Sequence, residues 1–256
     1  MFERLDEKLK AALAAVQKPG RYTGGEPGSV YKDKDKVDVR MAFCFPDTYE
    51  IGMSNIGMRI LYGLMNEMPG VWCERVFAPW GDMEAEMRKH AIPLYALESH
   101  DPVKAFDLIA FTIGYEMSYT NILNMLELSC VPLLAREREG LENIVFAGGV
   151  CAVNPEPLAD FIDFFSLGEG EEITKEIIDC YRQVKKDGCT KQEFLLRVSK
   201  IDGVYVPSFY EHTYNEDGTL AAITPKNGAP ARVRKRIIQD MDRSYFPTKT
   251  IVPSTE

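Results

Sequence analysis

The chain has 256 residues, of which 45% are hydrophobic and 27% are charged. These proportions are typical of a folded globular protein with room for one large domain and a smaller appendage. The formal net charge is −9, so there is no excess of positive charge that would attract a phosphate backbone. We therefore expect no direct binding of nucleic acid.

The amino terminus and the cysteines are typical of a cytoplasmic protein. Residues 1–16 place charges among leucines and alanines at helical spacing and lack the long apolar stretch of a signal peptide or a membrane span. We therefore expect no membrane association. The six cysteines are scattered and no two are spaced as CxxC. This scatter favours reduced thiols over a disulfide framework or a local metal cluster.

Strands and helices are predicted to alternate along most of the chain. A helix at Phe2–Val16 leads into a connector at 18–36 that is rich in glycine, proline and charge. Beyond it, apolar runs that suit strands buried on both faces alternate with segments of helical apolar spacing. The predicted strands are 37–45, 71–78, 106–113, 143–147 and 161–167. The predicted helices are 56–68, 82–90, 120–130 and 171–186.

This alternation predicts an α/β fold with a doubly wound, five-stranded parallel sheet and helices on both faces. We expect three parts: an N-terminal helix and arm at 1–36, the α/β domain at 37–188, and a β-rich extension at 189–256. The extension is predicted to contain a short helix at 191–199, a hairpin formed by 203–214 and 221–225, and a strand-like piece at 231–238.

Four strand-to-helix loops are expected to meet at one edge of this sheet, where open parallel sheets bind their ligands. One glycine after a strand is commonly a simple turn, but four unusual loops on one edge predict a ligand site. The first of them is PDTYEIGMSNIG at Pro46–Gly57. The residues expected to bind a cofactor are Asp47, Tyr49, Gly52, Ser54, Thr112, Gly114, Gly148, Gly149, Gly168, Glu169 and Gly170.

Several common sites are missing from these loops. The first loop lacks GxGxxG and the chain lacks GxxxxGK[ST], so neither of the usual phosphate cradles is present. A receiver domain would carry a phosphorylatable aspartate at the end of the third strand, where this chain has Thr112. A flavin or nucleotide carrier stays open as a third hypothesis, because a fold does not determine a function.

The order of the elements resembles the cobalamin-binding domain, which shares the flavodoxin-like sheet. The segment NPEPLADFIDFFSLGEGEE after a Gly-Gly strand end resembles the amino-terminal halves of B12-binding-domain radical SAM proteins. The segments KPGRYTGGE, PDTYEIGMSNIG and FTIGYEMSYTNILNML look like one uncharacterised branch of that group. The resemblance covers nearly the whole chain and makes cobalamin the candidate cofactor.

That family's first-loop signature is D-x-H-x-x-G, in which the histidine ligates cobalt from below. The matching residues here are Asp47, Tyr49 and Gly52. A phenol with a pKa of about 10 is a poor neutral donor to cobalt compared with imidazole. The resemblance therefore implies base-off binding without a histidine ligand, or a pocket that no longer binds the cofactor. Asp47 and Gly52 are expected to shape the loop, with Tyr49 facing the ligand.

The catalytic half of such proteins is a barrel with CxxxCxxC, whose thiolates hold the [4Fe–4S] cluster that reduces S-adenosylmethionine. No such motif occurs here. We therefore expect an amino-terminal fragment that is not catalytic by itself, cut before the barrel that would be its partner. By resemblance, the parent protein would be an iron–sulfur oxidoreductase or a methyltransferase of the radical SAM type. The cluster and S-adenosylmethionine are expected only in that part.

Two functions remain open at this point. In one, the module presents a corrinoid or a substrate to the barrel. In the other, a degenerate cobalamin-type fold serves only as a structural, protein-interacting or substrate-recruiting domain. The expected slot would be blocked by Gly149→Val, unless Gly149 is a turn glycine with positive φ, in which case the same change destabilises the domain.

Overall fold

The computed structural model of the chain describes residues 6–253. Its centre is a six-stranded sheet with the order β2-β1-β3-β4-β5-β6, in which the pairs among the first five strands are parallel and the last pair is antiparallel. These strands are β1 Val39–Phe45, β2 Val71–Phe77, β3 Leu108–Thr112, β4 Ile144–Gly148, β5 Phe164–Ser166 and β6 Val204–Tyr205. A separate antiparallel hairpin pairs β7 Tyr210–Tyr214 with β8 Leu220–Pro225.

Helices cover both faces of the sheet, as a doubly wound fold requires. They are α1 Glu7–Ala15, α2 Tyr49–Ser54, α3 Ile56–Glu67, α4 Gly81–His90, α5 Tyr119–Leu128, α6 Gly170–Asp187 and α7 Lys191–Val198. One core is built by α1, α4 and α5 against the sheet, and the other by α3, α6 and α7. The predicted fold class is confirmed.

The strands β1 and β2 form because nearly all of their side chains are buried on both faces, most of them apolar. All seven residues of β2 are buried, and so are six of the seven residues of β1. Strand β1 lies between β2 and β3. The chain therefore runs from β1 to β2 on one side and then crosses back past β1 to form β3 on the other. The carboxyl ends of β1 and β3 therefore flank the crevice at which such sheets bind ligands.

Three sequence expectations differ from the structure. The sheet has a sixth strand, because Val204 and Tyr205, expected in the extension, pair with β5. Part of the first loop is helical. The short helix α2 lies between its capping residues Thr48 and Asn55, and Asn55 is also the N-cap of α3. The piece at 231–238 forms only one isolated bridge, between Arg236 and Gly168.

Element bounds agree with the sequence expectations to within a few residues elsewhere. The predicted first helix began at Phe2, which lies outside the described residues. The fifth strand is shorter than predicted and begins directly after Asp163. Its carboxylate accepts hydrogen bonds from the backbone of Val145 and from Arg138 and forms an ion pair with Lys191.

The arm at 18–36 packs on this domain beside β2 and shares the cover of that strand's outer edge with residues 97–98. The indole Nε1 of Trp72 donates to the carbonyl of Val30 at 3.0 Å, and the hydroxyl of Tyr95 donates to the carbonyl of Tyr22 at 2.9 Å. Gly28 donates its N–H to the carbonyl of Ile251, so the last described residues also return to the arm. Covering an edge strand in this way protects it from pairing with other chains.

All six cysteines are free thiols. Within residues 6–253, no helix combines the length and the apolar character that crossing a membrane requires.

Candidate functional site

A cavity of about 330 Å³ opens at the carboxyl edge of the sheet, beside the crevice between β1 and β3. Its floor is apolar and comes from β1, β3 and β4, with Met41, Phe43 and Phe146. Its wall on the helical side comes from α3, with Leu61 and Met65. The volume falls within the range of small-molecule pockets, roughly 300–1,000 Å³. The apolar lining suits an apolar group inserted between the sheet and the helices.

Three hydroxyl groups, those of Thr112, Ser166 and Thr174, line the cavity beyond its apolar floor. Thr112, Gly148 and Ser166 are register neighbours across β3, β4 and β5, and Thr174 on α6 lines the same cavity. The side chains of Ser166 and Thr174 are buried, with residue exposures of 5%. Within residues 6–253, no hydrogen-bond partner is found for the hydroxyls of Thr112, Ser166 or Thr174. These hydroxyls line the open cavity and are not among the buried polar atoms that lack a partner, so they are available to a polar part of a ligand.

The two glycines that follow one another beside these hydroxyls, Gly148 and Gly149, have different roles. A Cβ on Gly148 would lie 3.5 Å from the carbonyl oxygen of Ser166, which is an ordinary contact. A Cβ on Gly149 would lie 2.6 Å from the carbonyl oxygen of Ile113, and Gly149 has a φ of +100°. Gly148 thus leaves room in the slot, whereas Gly149 is required by the turn itself.

The cavity brings together six of the eleven residues that the sequence singled out. They come from the loops after β3, β4 and β5 and are Thr112, Gly114, Gly148, Gly149, Gly168 and Gly170. The side chain of Glu169 is engaged elsewhere, because it accepts a hydrogen bond from the backbone N–H of Ile238. The backbone N–H of Glu169 donates to the carbonyl of Arg236 at 3.1 Å.

The first loop holds its four expected residues outside the cavity lining. Asp47 accepts hydrogen bonds from the N–H of Thr48 and from the hydroxyl of Tyr115. Gly52 lies so close to Phe77 that a Cβ would come within 2.2 Å of its ring. Ser54 donates its hydroxyl to a carbonyl one turn back in α2. Only the end of the loop, at 55–57, reaches the cavity.

Tyr49, expected to face a ligand, is turned towards the arm. Its hydroxyl donates to Oε1 of Glu26 at 2.7 Å, and its ring packs edge-on against Phe77 with the ring centroids 5.3 Å apart. Burial, together with the hydrogen bond to Glu26, raises the pKa of Tyr49 above its usual value. The phenol is therefore neutral and is held by a carboxylate that the loop sequence does not contain.

Glu26 itself belongs to a buried charge cluster centred on Arg75 of β2. Arg75 is fully buried; its Nε donates to Glu98 at 2.7 Å and its Nη2 donates to Glu26 at 2.7 Å. The same Nη2 donates to the hydroxyl of Ser29 at 2.8 Å, and the guanidinium carbon lies 5.4 Å from the ring centroid of Tyr62. We call Arg75, Glu26, Glu98 and Tyr49 the Arg75 cluster. It joins β2, the arm and the first loop.

Burial alone would raise the pKa of Glu26, but the hydrogen bonds and charge of Arg75 outweigh it and lower this pKa to about 2. Glu26 is therefore ionised across the physiological range, and it can both neutralise Arg75 and accept the hydrogen bond of Tyr49. Sequence reasoning missed Glu26 because it lies 23 residues before Tyr49 in a segment without regular structure.

Two exposed apolar side chains line the cavity, and a third lies in a loop of the same sheet edge. Ile56 and Val150 line the cavity and are 52% and 74% exposed. Met117, in the loop after β3, is 84% exposed. Clustered exposed apolar residues commonly mark a surface that contacts a ligand or another domain.

The two helix ends at the cavity differ in charge. The first turn of α3 contains no acidic residue, and Asn55 caps it through the N–H of Met58. The first turn of α6 carries Glu171 and Glu172. Because helix N-termini favour negative ligand groups and acidic side chains oppose them, an anionic group is better accommodated at α3. Among residues 6–253, no three potential metal-ligating side chains come together.

Comparison with known proteins identifies the family. The family model described as radical SAM proteins, N-terminal, matches residues 57–207, which is more than half of the chain. The chain belongs to this family. The matched residues of this radical SAM N-terminal region include β2 to β6 and the hydroxyls of Thr112, Ser166 and Thr174. The arm, β1 and the signature position Tyr49 precede the match.

One curated relative is an uncharacterized protein of Methanocaldococcus jannaschii. It is 25% identical over 148 residues, which are 56% of this chain and 27% of the relative. The chain therefore spans about a quarter of the length of that relative. No solved structure matches the chain.

The Arg75 cluster yields a prediction about stability. Glu26→Gln removes one of the two carboxylates that neutralise a fully buried guanidinium, so we expect the free energy of unfolding to fall by about 3 kcal/mol. Glu50→Gln is the matched control, because the Glu50 side chain, which pairs with Arg21, is 46% exposed, and its change should cost less than about 1 kcal/mol. Urea unfolding followed by circular dichroism measures both. Equal effects of the two changes would contradict the central role of the cluster.

The pKa of Glu26 makes the same difference depend on pH. The pKa of Glu26 in the folded protein, about 2, lies below its ordinary value of 4.5. Ionised Glu26 therefore stabilises the fold fully above pH 4.5, and this contribution is lost as the pH falls through the folded pKa of about 2. The stability difference between the wild type and Glu26→Gln should therefore be constant from pH 5 to 7 and shrink towards pH 2. Urea unfolding across this range measures it, and a difference that grows on acidification would refute the assignment.

Gly149→Val is expected to destabilise the domain instead of selectively blocking the slot. Its positive φ and the close carbonyl of Ile113 leave no place for a branched side chain, and we expect a loss of about 3 kcal/mol. Gly148→Val has no such conflict and should cost less than half as much. Thermal unfolding of the two variants checks this, and similar melting temperatures would show that the turn tolerates a side chain.

Proposed function

We propose that this chain is the accessory module of a radical SAM protein and that it holds a corrinoid by its nucleotide tail, base-off and without a histidine ligand. The observation that carries this proposal is the cavity between the sheet and α3 and α6. It has an apolar slot, an entrance kept open by Gly148, and unpartnered hydroxyls at Thr112, Ser166 and Thr174. A flat aromatic base on a sugar phosphate has matching apolar and polar parts.

The residues present fit such a tail in three respects. Met41, Phe43 and Phe146 offer the apolar surface that a heterocyclic base requires. The row of hydroxyls supplies hydrogen bonds to the sugar, and the uncharged first turn of α3 accommodates a phosphate better than the acidic start of α6. The exposed Ile56 and Val150 at the mouth would support the apolar face of the macrocycle.

When bound, a corrinoid would supply methyl transfer or assistance to the radical reaction at the partner domain. The chain's own contribution is to bind and orient. Tyr49 does not supply a ligand from below, because its hydroxyl is committed to Glu26 and the pKa of Tyr49 is raised. If a corrinoid binds, Tyr49 would therefore supply no ligand to its metal.

The second candidate function is a domain that kept the fold but only docks the barrel or recruits its substrate. It is favoured by the same engagement of Tyr49 with Glu26, and by the exposed Met117 and Val150, which suit a protein contact equally well. Binding experiments separate the two candidates, because only the first requires the slot.

The test compares two corrinoids on the purified chain. Hydroxocobalamin, which carries the nucleotide tail, should be retained after desalting, whereas cobinamide, which lacks it, should bind at least tenfold more weakly. Gly148→Val should abolish retention by filling the slot, and the control Gly140→Val, at an exposed turn away from the cavity, should not. Equal binding of both corrinoids would overturn recognition through the nucleotide tail. No retention of either corrinoid at about 100 µM protein, a concentration at which only weak or absent affinity escapes detection, would leave only the docking function.

The ligand-free lower face has its own spectroscopic test. Electron paramagnetic resonance of the cob(II)alamin complex should show a base-off signal without nitrogen superhyperfine splitting, since neither the tail base nor a histidine binds the metal. Nitrogen splitting would overturn the proposed mode of binding while leaving the slot itself intact.

A further inference from the structure

The hairpin of β7 and β8 is amphipathic, with its apolar face largely uncovered. The register pairs Tyr210 with Pro225, His212 with Ile223 and, beyond a register shift between Thr213 and Tyr214, Tyr214 with Leu220. Directly paired residues share a face and residues two apart on a strand do so too, so these six side chains lie on one face. The opposite face is polar or small, with Glu211 opposite Thr224 and Thr213 opposite Ala222. Such alternation is typical of a hairpin with one face buried.

The apolar face is covered at its base and exposed towards its tip. Tyr210 is half-buried, and its ring lies 4.8 Å from the ring of Tyr205 in β6. Further along the face, Ile223 is 49% exposed, Leu220 is 50% exposed and Tyr214 is 65% exposed. The domain described by residues 6–253 thus covers only the start of this face, where Tyr210 and His212 are partly buried, and leaves three large apolar side chains exposed beyond it.

Such a hairpin needs further support. A two-stranded hairpin is marginally stable in water unless its apolar face packs on something else. Here the turn is well formed, since Asn215 N–H donates to the carbonyl of Thr219 at 2.8 Å and Gly218 supplies a positive φ of 82°. A well-specified turn that projects three large apolar side chains into solvent indicates a surface suited to contact.

The area of this face argues for an occupant on the same polypeptide. Three half-exposed side chains contribute far less than the roughly 800 Å² per partner that a separate stable complex buries. A contact within one chain needs less area, because tethering keeps the two surfaces at high effective concentration. The family and the length of the M. jannaschii relative, of which this chain matches 27%, both indicate further chain outside the described domain.

We propose that the hairpin face formed by Tyr214, Leu220 and Ile223 packs on the radical SAM domain of the same polypeptide. The hairpin then serves as a bracket that fixes the accessory domain relative to the barrel. This role is separate from the cavity, because neither β7 nor β8 contributes a residue to the cavity lining.

The experiment follows hydrogen exchange of the hairpin amides by mass spectrometry in the full-length parent protein. Ile223→Lys places a charge on the apolar face, and the matched control Ala222→Lys places it on the opposite face of the same strand, where Ala222 is also exposed. We expect wild type and Ala222→Lys to show equally slow exchange, and Ile223→Lys to exchange at least tenfold faster. Similar exchange in all three proteins would overturn the proposal.

Two further measurements separate this contact from an effect within the hairpin and from self-association. In the 256-residue chain alone, the hairpin amides of the two lysine variants should exchange at the same rate, and as fast as those of Ile223→Lys in the parent protein. A difference between the two variants there would mean that the substitution acts within the hairpin, and it would overturn the proposed contact. Light scattering should show a monomer whose exchange is independent of concentration. A dimer that Ile223→Lys dissociates would assign the face to a second copy and refute the proposal. Cobalamin retention should be unchanged in both variants, which keeps this test independent of the proposed function.

Discussion

The fully buried guanidinium of Arg75 constrains the rest of the structure. A buried charge is tolerated only when it is neutralised and hydrogen-bonded, and Arg75 obtains this from Glu98, next to its own strand, and from Glu26 in the arm. The irregular arm is thereby fixed against β2 without regular structure of its own. Because Glu26 also accepts a hydrogen bond from the hydroxyl of Tyr49, the charge of Arg75 also helps to position the first loop.

This arrangement explains two sequence features together. The glutamate of KPGRYTGGE and the tyrosine of PDTYEIGMSNIG are distant in the sequence but form one hydrogen-bonded unit with Arg75. A histidine at position 49 would have to give up this hydrogen bond to turn towards a metal. The tyrosine is therefore accounted for by a structural role, and the ligand preference of the domain has to be read from the cavity instead of from the signature position.

The sequence predicted the sheet, its helices and the carboxyl-edge location of the cavity, because apolar runs and glycines after strands are local signals. It did not predict that β6 would join the sheet, since Val204 and Tyr205 pair through the backbone with a strand 38 or more residues earlier. It also missed the hydroxyls of Ser166 and Thr174. Each looks ordinary in the sequence, and their significance arises only where β5 and α6 bring them to one cavity.

The contrast between the two ends of the cavity bears on what it selects. An apolar floor beneath unpartnered hydroxyls would disfavour a purely apolar ligand, because the hydroxyls of Ser166 and Thr174 would stay without hydrogen bonds. It would also disfavour a compact polar ion, because Met41 and Phe43 offer such an ion no polar contact. The acidic residues Glu171 and Glu172 further disfavour a multiply charged phosphate chain near α6. These features favour the kind of ligand proposed above, with an apolar end, hydroxyl groups and a modest negative charge. A nucleoside monophosphate linked to a larger body has this distribution, whereas a nucleoside triphosphate does not.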